Sequence, residues 1–450
     1  MSVLETALVM LEKYPLCDHC LGRQFALLGR GIENNERGKA LKLSLTMQAS
    51  AFTLAKNAKG SQRLRILASN GFSGDAEETL RQYGKRAPRT KPQACFLCDG
   101  KFQLLDKLVQ KALKDLTYYE YSSFLIGVEL PVSVEEREDE FKAAFNTGYS
   151  ESIRHELGRL LGKRFEALSG KTVEYRKPDV AIVVNPWTES ITLQVNPLFV
   201  AGRYRKLVRD LPQSKWFCSR CRGKGCEKCG GTGKMYPESV EELVSKPFLE
   251  AAEGEKTAFH ASGREDVDVR MLGTGRPFVI EVSKPRKRFL DLAALKEVVN
   301  VAGKGKVEVS GFRFTSRDVV RKLKKAESAQ KEYRVLIEFG RDVSEDELRG
   351  VLGEKLTGAS IKQQTPLRVL HRRADLTREK YIYWVKVKKV SRNQAELKVR
   401  CQGGLYVKEL VSGDEGRTTP SVSELLGTGA KTLKLDVLKV IVDLDKVKHT

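Results

Sequence analysis

One short segment of the sequence, residues 263–273, concentrates acidic residues and arginines in a chain whose formal net charge is +22. Val267 and Val269 alternate with polar residues after Asp266, a pattern that predicts a strand with Asp266 at its beginning. In such a strand Asp266 and Asp268 would share one face. A carboxylate beside arginines in a basic protein is where chemistry on a nucleic acid could occur. The alternative interpretation is a solvated surface loop held by salt bridges.

The cysteines are a second set of residues whose spacing suggests chemistry. Eight of the nine form Cys-x-x-Cys pairs, at Cys17 and Cys20, Cys95 and Cys98, Cys218 and Cys221, and Cys226 and Cys229. A two-residue spacer directs both thiolates of a pair at one ion, and two pairs complete a tetrahedral zinc site. Four thiolates leave no position for water, so the zinc is expected to be structural.

The last two cysteine pairs lie in a tandem eight-residue repeat, which predicts one compact zinc loop. The first two pairs would then close a second site. The spacing alone leaves open whether residues 218–229 hold an ion of their own. The ninth cysteine, Cys401, lies in a strand-like run and is predicted to be a small buried hydrophobe.

The composition favours a polyanionic partner and argues against a membrane protein. The chain has 80 Lys and Arg against 58 Asp and Glu, so counterion release would favour RNA or DNA. No apolar run has the length of a bilayer span, and the first residues contain Glu5 and Glu12 rather than a signal-peptide pattern. We therefore expect a cytoplasmic protein, without an evident obligate protein partner, whose cysteines bind metal rather than form disulfides.

The periodicity of the sequence predicts an α+β chain of several domains. Residues 118–200 alternate strands and helices, with strands over 123–130 and 180–184 and a helix over 153–168. This order resembles a THUMP domain, an RNA-binding module of tRNA-modifying enzymes, although a generic α/β domain fits nearly as well. Further along, strands are predicted over 278–282, 333–339, 381–390 and 396–402, the last two joined as a hairpin, and helices over 290–300, 317–326 and 344–352.

These elements predict four domains. They are a helical zinc region (1–117), the THUMP-like region (118–200), a basic connector with the Cys-rich loop (201–244) and an α+β domain of catalytic size (245–450).

Three sites in the last domain can be considered together. They are Asp266, the segment Lys331-Glu332-Tyr333 in which an aromatic residue opens a strand, and the segment 401–410 in which glycines lead into Tyr406 and Lys408. Each alone has an ordinary explanation, as a turn, a tyrosine at a core edge or a solvated lysine. Together, Gly-Arg-x-Asp at 263–266, Lys-x-Tyr at 331–333 and Gly-x-Tyr-x-Lys at 404–408 resemble the motifs of pseudouridine synthases. Lys408 stands where the TruB branch of these enzymes has arginine. A lysine keeps the positive charge but lacks the guanidinium that can bind a carboxylate through two hydrogen bonds.

Further stretches extend the resemblance over nearly the whole chain. They are residues 197–206, Thr365-Pro366, residues 371–375 and the N-terminal cysteine pairs. With them the chain resembles the archaeal-type tRNA pseudouridine synthases that carry a THUMP domain, the "Pus-ten" family. The resemblance implies an RNA-binding N-terminal region, a C-terminal domain with a mixed or antiparallel sheet, and isomerisation of uridines 54 and 55 in the tRNA T loop. It also implies that no organic cofactor is needed.

The same resemblance implies roles for individual residues. Asp266 would act as nucleophile on the ribose or as base on its C2′ proton, and Lys408 or Arg264 would favour its ionised form. Tyr333 would stack on the extruded uracil, and Tyr406 would contact the same nucleotide. Asp268 and Asp375 are rival carboxylates, and the register of the Gly-Arg-x-Asp motif selects Asp266. Candidate phosphate contacts are Arg203, Arg205, Lys206 and the cluster 284–288.

Two other functions are compatible with parts of the sequence. A THUMP-type methyltransferase or thiolation enzyme would need a glycine loop for adenosylmethionine or a P-loop, and Gly273-Thr274-Gly275 and Gly303-Lys304-Gly305 are too short for either. A non-enzymatic zinc-bearing RNA-binding or chaperone module would explain the charge and the cysteines. It would not explain why the motifs that contain Asp266, Tyr333 and Lys408 occur together.

Overall fold

The computed structural model describes residues 2–86, 93–325, 329–371 and 373–442. The chain divides into two compact units, Met1–Asn196 and Pro197–Thr450. No helix in these described ranges is long and apolar enough to cross a membrane.

The first unit begins with a helical part. Its helices are α1 (Val3–Lys13), α2 (Asp18–Gly22), α3 (Asn34–Leu54), α4 (Ala58–Ser69), α5 (Gly74–Gln82), α6 (Leu105–Asp115), α7 (Val132–Phe145) and α8 (Ile153–Ser169). Serine caps begin three of them: the side chains of Ser2, Ser73 and Ser152 accept hydrogen bonds from the backbone N–H groups of Glu5, Ala76 and His155 respectively. The helix predicted over 153–168 is confirmed as α8.

A four-stranded sheet completes the first unit. Its strands are β1 (Ser123–Val128), β2 (Thr172–Val173), β3 (Val180–Asn185) and β4 (Ser190–Val195), in the order β2-β1-β3-β4. Strand β1 is parallel to β2 and β3, and β3 is antiparallel to β4. The ring of Phe124 on β1 lies 4.5 Å from that of Phe165 on α8, so this helix packs on the sheet. The strands predicted over 123–130 and 180–184 are confirmed.

A ten-stranded sheet forms the second unit. Its strands are β5 (Leu198–Lys206), β6 (Lys256–Ala261), β7 (Arg270–Ser283), β8 (Val307–Phe314), β9 (Gln330–Phe339), β10 (Ser360–Gln364), β11 (Thr377–Ser391), β12 (Gln394–Cys401), β13 (Thr418–Thr419) and β14 (Ala430–Ile441). Their order is β13-β10-β11-β12-β9-β14-β7-β5-β8, and β6 also pairs with β7. Over the described ranges β14 and β7 are parallel and the other pairs are antiparallel, which confirms the predicted mixed sheet.

Helices lie between these strands. They are α9 (Val240–Ala251), α10 (Leu292–Gly303), α11 (Arg317–Lys325), α12 (Glu345–Glu347), α13 (Leu367–Leu370), α14 (Val407–Ser412) and α15 (Val422–Leu426). The helix predicted over 344–352 is only partly right, because α12 widens after three residues into a π-helix, Leu348–Glu354. Gly350 and Gly353, which have low helix propensity, lie in that segment. Ala326 of the predicted helix 317–326 and Arg372 of the 371–375 motif lie outside the described residues.

The predicted strands of the second unit are confirmed as β7, β9, β11 and β12, and Ser391 pairs with Gln394 at the predicted hairpin. The predicted connector needs correction at its start. Residues 201–206 continue β5, which lies between β7 and β8 inside the large sheet. The basic residues of this stretch obscure an alternation of buried residues that is typical of a strand. The division of the chain into four domains otherwise stays a prediction.

Candidate functional site

A cavity of about 420 Å³ in the second unit brings together five residues that the sequence motifs selected. They are Arg264, Asp266, Tyr333, Tyr406 and Lys408. The volume is within the range of small-molecule pockets and suits a single nucleotide. The rival carboxylate Asp375 is absent from the described lining and forms an ion pair with Arg417.

The Asp266 carboxylate lies between two cations. Arg368 Nη1 is 3.0 Å from Asp266 Oδ2, and Lys408 Nζ is 3.5 Å from the same oxygen. The Asp266 side chain is 37% exposed, so a ligand in the cavity can reach it. Arg368 is held in turn by the buried Glu409, whose Oε1 accepts a 2.6 Å hydrogen bond from Arg368 Nε. The two cations therefore fix the position of the carboxylate at the wall of the cavity.

Lys408 is shared between two carboxylates. Its Nζ lies 2.7 and 2.9 Å from the two oxygens of Asp268, closer than it lies to Asp266. Burial opposes ionisation of Asp268, but the hydrogen bond and charge of Lys408 prevail and lower the pKa of this carboxyl. Asp268 therefore holds Lys408 in place, while its own side chain is 59% exposed.

The strand predicted after Asp266 does not form at that point. Val267 and Asp268 lie in a turn that closes with a 3.1 Å hydrogen bond from the backbone N–H of Val269 to the carbonyl of Asp266, and β7 begins only at Arg270. The prediction that Asp266 and Asp268 share one face of a strand is therefore wrong. The turn brings both side chains to Lys408 by a different route.

A fully buried lysine fixes this turn from inside the unit. Lys206 Nζ donates hydrogen bonds to the carbonyls of Leu211 (2.7 Å), Asp266 (3.1 Å) and Val267 (3.0 Å). Burial lowers the pKa of Lys206 to about 8, against the attraction of Glu265 and Asp268. The prediction that Lys206 contacts phosphate is therefore wrong, because its ammonium is not accessible.

The residue before Asp266 points into the core. Glu265 forms a 2.9 Å ion pair with Arg276, and both side chains are buried. Tyr204 donates its hydroxyl to Glu265, and Arg276 Nη1 donates to the carbonyl of Ser262 at 2.7 Å. A buried ion pair is tolerated when such hydrogen bonds complete it, and it anchors one end of the segment that carries Asp266.

Tyr333 and Tyr406 line the same cavity from different elements. Tyr333 lies on β9, and burial raises the pKa of its phenol, which therefore stays neutral. Tyr406 immediately precedes α14, and Gln363 of β10 binds both of its backbone polar groups, at 2.8 Å to the N–H and 3.0 Å to the carbonyl. The Tyr406 hydroxyl accepts a 2.8 Å hydrogen bond from Arg373.

Arg264 has an aromatic partner that no sequence motif indicated. Its guanidinium lies 5.0 Å from the ring centre of Trp216, in a cation–π contact, and both residues line the cavity.

The sequence motifs did not select Arg368 or Trp216, and they did not indicate that Lys206 is buried. For Arg368 a signal was present, because it follows the quoted Thr365-Pro366 motif by two residues. For Lys206 the signal was the alternation of Tyr204 and Lys206 on one face of β5. Trp216 had no local signal.

The remaining candidate phosphate contacts are partly neutralised. Arg205 pairs with Glu308, and Arg203 donates to the carbonyl of Gly275 at 2.9 Å. In the cluster 284–288, Lys284 and Lys287 pair with glutamates and Arg288 is buried.

The cysteine pairs form two groups, each within one unit. Cys17, Cys20, Cys95 and Cys98 lie together, and so do Cys218, Cys221, Cys226 and Cys229. Sulfur–sulfur distances of 3.6 Å in the first group and 3.7–3.8 Å in the second fit four thiolates around one ion, since Zn–S bonds of about 2.3 Å in a tetrahedron separate the sulfurs by about 3.8 Å. Both groups could therefore hold a metal.

Comparison with known proteins assigns the chain to a family. The family profile described as Pus10, C-terminal matches residues 199–441, and that described as Pus10 THUMP domain, archaeal, matches residues 108–185. A tRNA pseudouridine synthase Pus10 from Methanocaldococcus jannaschii is 44% identical over 437 residues, 96% of this chain and 93% of the relative. Another, from Pyrococcus furiosus, is 37% identical over 443 residues, 98% of this chain and 99% of the relative.

A chain from the crystal structure of a Cbf5-Nop10-Gar1 complex is 18% identical and covers 53% of this chain and 48% of that one. Its TM-score of 0.30 is too low to support a conclusion. The near full-length relatives confirm the resemblance inferred from the motifs. The chain therefore belongs to the Pus10 family of tRNA pseudouridine synthases, which are isomerases.

Proposed function

We propose that this protein isomerises uridine to pseudouridine at positions 54 and 55 of the tRNA T loop, with Asp266 as nucleophile or base. The observation that carries this proposal is the Asp266 carboxylate, held by Arg368 and Lys408 in a nucleotide-sized cavity. The two positions follow from the family resemblance, and the tRNA substrate follows from the names of the relatives.

The reaction needs no redox partner and no transferred group. The N-glycosidic bond breaks, the uracil turns, and a bond forms between its C5 and the ribose C1′, while C5 loses a proton and N1 gains one. Asp266 would attack the ribose or remove its C2′ proton, and the cations beside it would hold its carboxylate in position. Tyr333 and Tyr406 would hold the extruded base, since stacking returns about 1–3 kcal/mol of the few kcal/mol that extrusion costs.

Both cysteine groups are proposed to hold structural zinc, because four thiolates at tetrahedral spacing leave no position for a substrate. They would order their loops rather than take part in the isomerisation. A cytoplasmic location stays a prediction.

The proposal is tested by tritium release from unmodified tRNA labelled at C5 of uridine, with no cofactor added. We expect release with the unchanged protein, none with Asp266→Asn, and undiminished tRNA binding by that variant. Asp268→Asn is the matched control: it should turn over tRNA at a reduced rate rather than not at all, because an amide oxygen still accepts a hydrogen bond from Lys408. Turnover by Asp266→Asn together with its loss in Asp268→Asn would show that the assignment is wrong.

Substrates in which uridine 54 or 55 alone is replaced by cytidine test the positions. Each should release about half of the tritium. If either replacement abolishes release entirely, only that position is a substrate.

A further inference from the structure

The Cys-rich loop of the second unit is joined directly to the cavity that contains Asp266. Phe217 pairs with Lys234 in an isolated antiparallel bridge, and the backbone N–H of Met235 donates a 2.9 Å hydrogen bond to the carbonyl of Trp216. These contacts close the base of the loop. Trp216, one residue before the bridge, lines the cavity.

The loop carries mostly positive charge. Residues 215–234 contain six Lys and Arg and a single acid, Glu227. Lys234 pairs with Glu242. Arg220, Arg222 and Lys224 are exposed, and none of them forms an ion pair with an acid in the described part of the chain. Three cations close together without carboxylate partners suit a polyanion.

An aromatic surface connects this charge to the catalytic segment. The Arg264 guanidinium, two residues before Asp266, lies 5.0 Å from the centre of the Trp216 ring. Trp216 makes an edge contact with Tyr236, whose ring centre is 5.5 Å away, so the indole is supported on one side. A flat ring beside a guanidinium offers stacking faces to a nucleobase, and every base has a face of this kind.

We propose that the Trp216–Arg264 pair and the loop 217–234 form one RNA-binding surface for the nucleotides that flank the target uridine. Trp216 and Arg264 stack on a flanking base, and Arg220, Arg222 and Lys224 contact the phosphates beyond it. This inference rests on the proposed function, since the uridine in the cavity is covalently continuous with those nucleotides. RNA is favoured over an acidic peptide because the charge adjoins a stacking surface at the cavity.

The test measures binding rather than turnover, so that it is separate from the test of the reaction. Binding of unmodified tRNA to Asp266→Asn protein is followed over a range of salt concentrations. We expect the triple variant R220Q/R222Q/K224Q to bind more weakly. The slope of log K against log salt concentration should become shallower by about two, because each lost single-strand phosphate contact accounts for about 0.7. The variant K322Q/K324Q/K325Q on α11 removes the same charge from exposed positions of the same unit, and its slope should not change.

Trp216 is tested separately. Trp216→Ala should weaken tRNA binding on the order of 10-fold, and Trp216→Phe should restore most of it because the stacking face is kept. With Trp187 and Trp384 replaced by phenylalanine, tRNA should quench the fluorescence of Trp216. An unchanged slope in R220Q/R222Q/K224Q, a slope reduced equally in the α11 variant, or an unquenched Trp216 would each overturn the proposal. Retained metal content and thermal unfolding establish that the variants fold.

Discussion

Asp266 is held at both its side chain and its backbone. Arg368 and Lys408 contact the carboxylate, and Lys206 contacts the carbonyl of the same residue. The neighbouring Glu265 is bound to Arg276 in the core. Such fixing of a reactive group matters because a displacement of about 1 Å can cost on the order of 100-fold in rate.

Lys206 is predicted to act as a positioning residue. Lys206→Met keeps an unbranched side chain as far as the ε position but removes the ammonium that donates to three carbonyls. We expect kcat to fall about 10- to 100-fold with little change in KM for tRNA. Single-turnover rates and tRNA affinity measured on the same preparation separate these effects.

The pH profile distinguishes this role from a purely structural one. Burial lowers the pKa of Lys206 to about 8, so the ammonium holds the turn below that pH and loses a donor proton above it. The rate should therefore decline as pH rises through about 8, and Lys206→Met should lack this decline. Lys331, whose pKa burial and the charge of Arg276 also lower to about 8, is the control. Loss of the decline in Lys331→Met alone would assign it to Lys331.

Two short helices present the cations to Asp266. α13 follows Pro366 and carries Arg368, whereas α14 follows Tyr406 and carries Lys408 and Glu409. The turn before α14 requires glycine, because Gly404 has a φ of +91° and an added Cβ would lie 3.2 Å from the Lys380 side chain. The strand β10 is joined to this turn through Gln363.

Removing the Gln363 side chain should loosen this connection. Gln363→Leu leaves the backbone N–H and carbonyl of Tyr406 without their partners, which costs about 1–3 kcal/mol in the free energy of unfolding. Denaturant unfolding measures that cost, and turnover should fall as Lys408 loses its fixed position. Gln402→Leu is a control, since the Gln402 amide accepts one long hydrogen bond of 3.4 Å. Equal destabilisation by the two changes would contradict the argument.

At the scale of the whole molecule, the two cysteine groups differ in their surroundings. Cys20, Cys95 and Cys98 are buried and belong to the hydrophobic core of the first unit. In the second unit only Cys218 of its group is buried. A metal that joins core elements contributes directly to folding, whereas one in an exposed loop orders that loop alone.

Replacing one ligand in each group should therefore have unequal effects. Cys95→Ser and Cys226→Ser should each remove one of two metal ions per chain, measured by elemental analysis. Cys95→Ser should lower the thermal stability of the first unit strongly, while Cys226→Ser should leave both cores folded. Cys401→Ser, outside both groups, should keep both ions. Retention of two ions by Cys226→Ser would contradict the prediction that Cys226 is a required ligand of the second ion.

The family and the type of fold could be predicted because they depend on local patterns. The pattern of apolar and polar residues predicted strands such as β9 and β12, and Cys-x-x-Cys spacing predicted the ligands of each group, since backbone geometry over a few residues sets both. The same reasoning failed at Val267, where a hydrogen bond closes a turn inside an alternating sequence.

The sequence by itself determined the residue types of the site, Asp266, Tyr333, Tyr406 and Lys408, through short motifs. Only the tertiary structure decided which charges meet. Arg368 contacts Asp266 although the two are about a hundred residues apart in the sequence. Lys206 is buried in the core although its neighbours in the sequence are basic. Packing brings distant residues together and removes water from some cations but not from others, and neither effect can be derived from the spacing of residues along the chain.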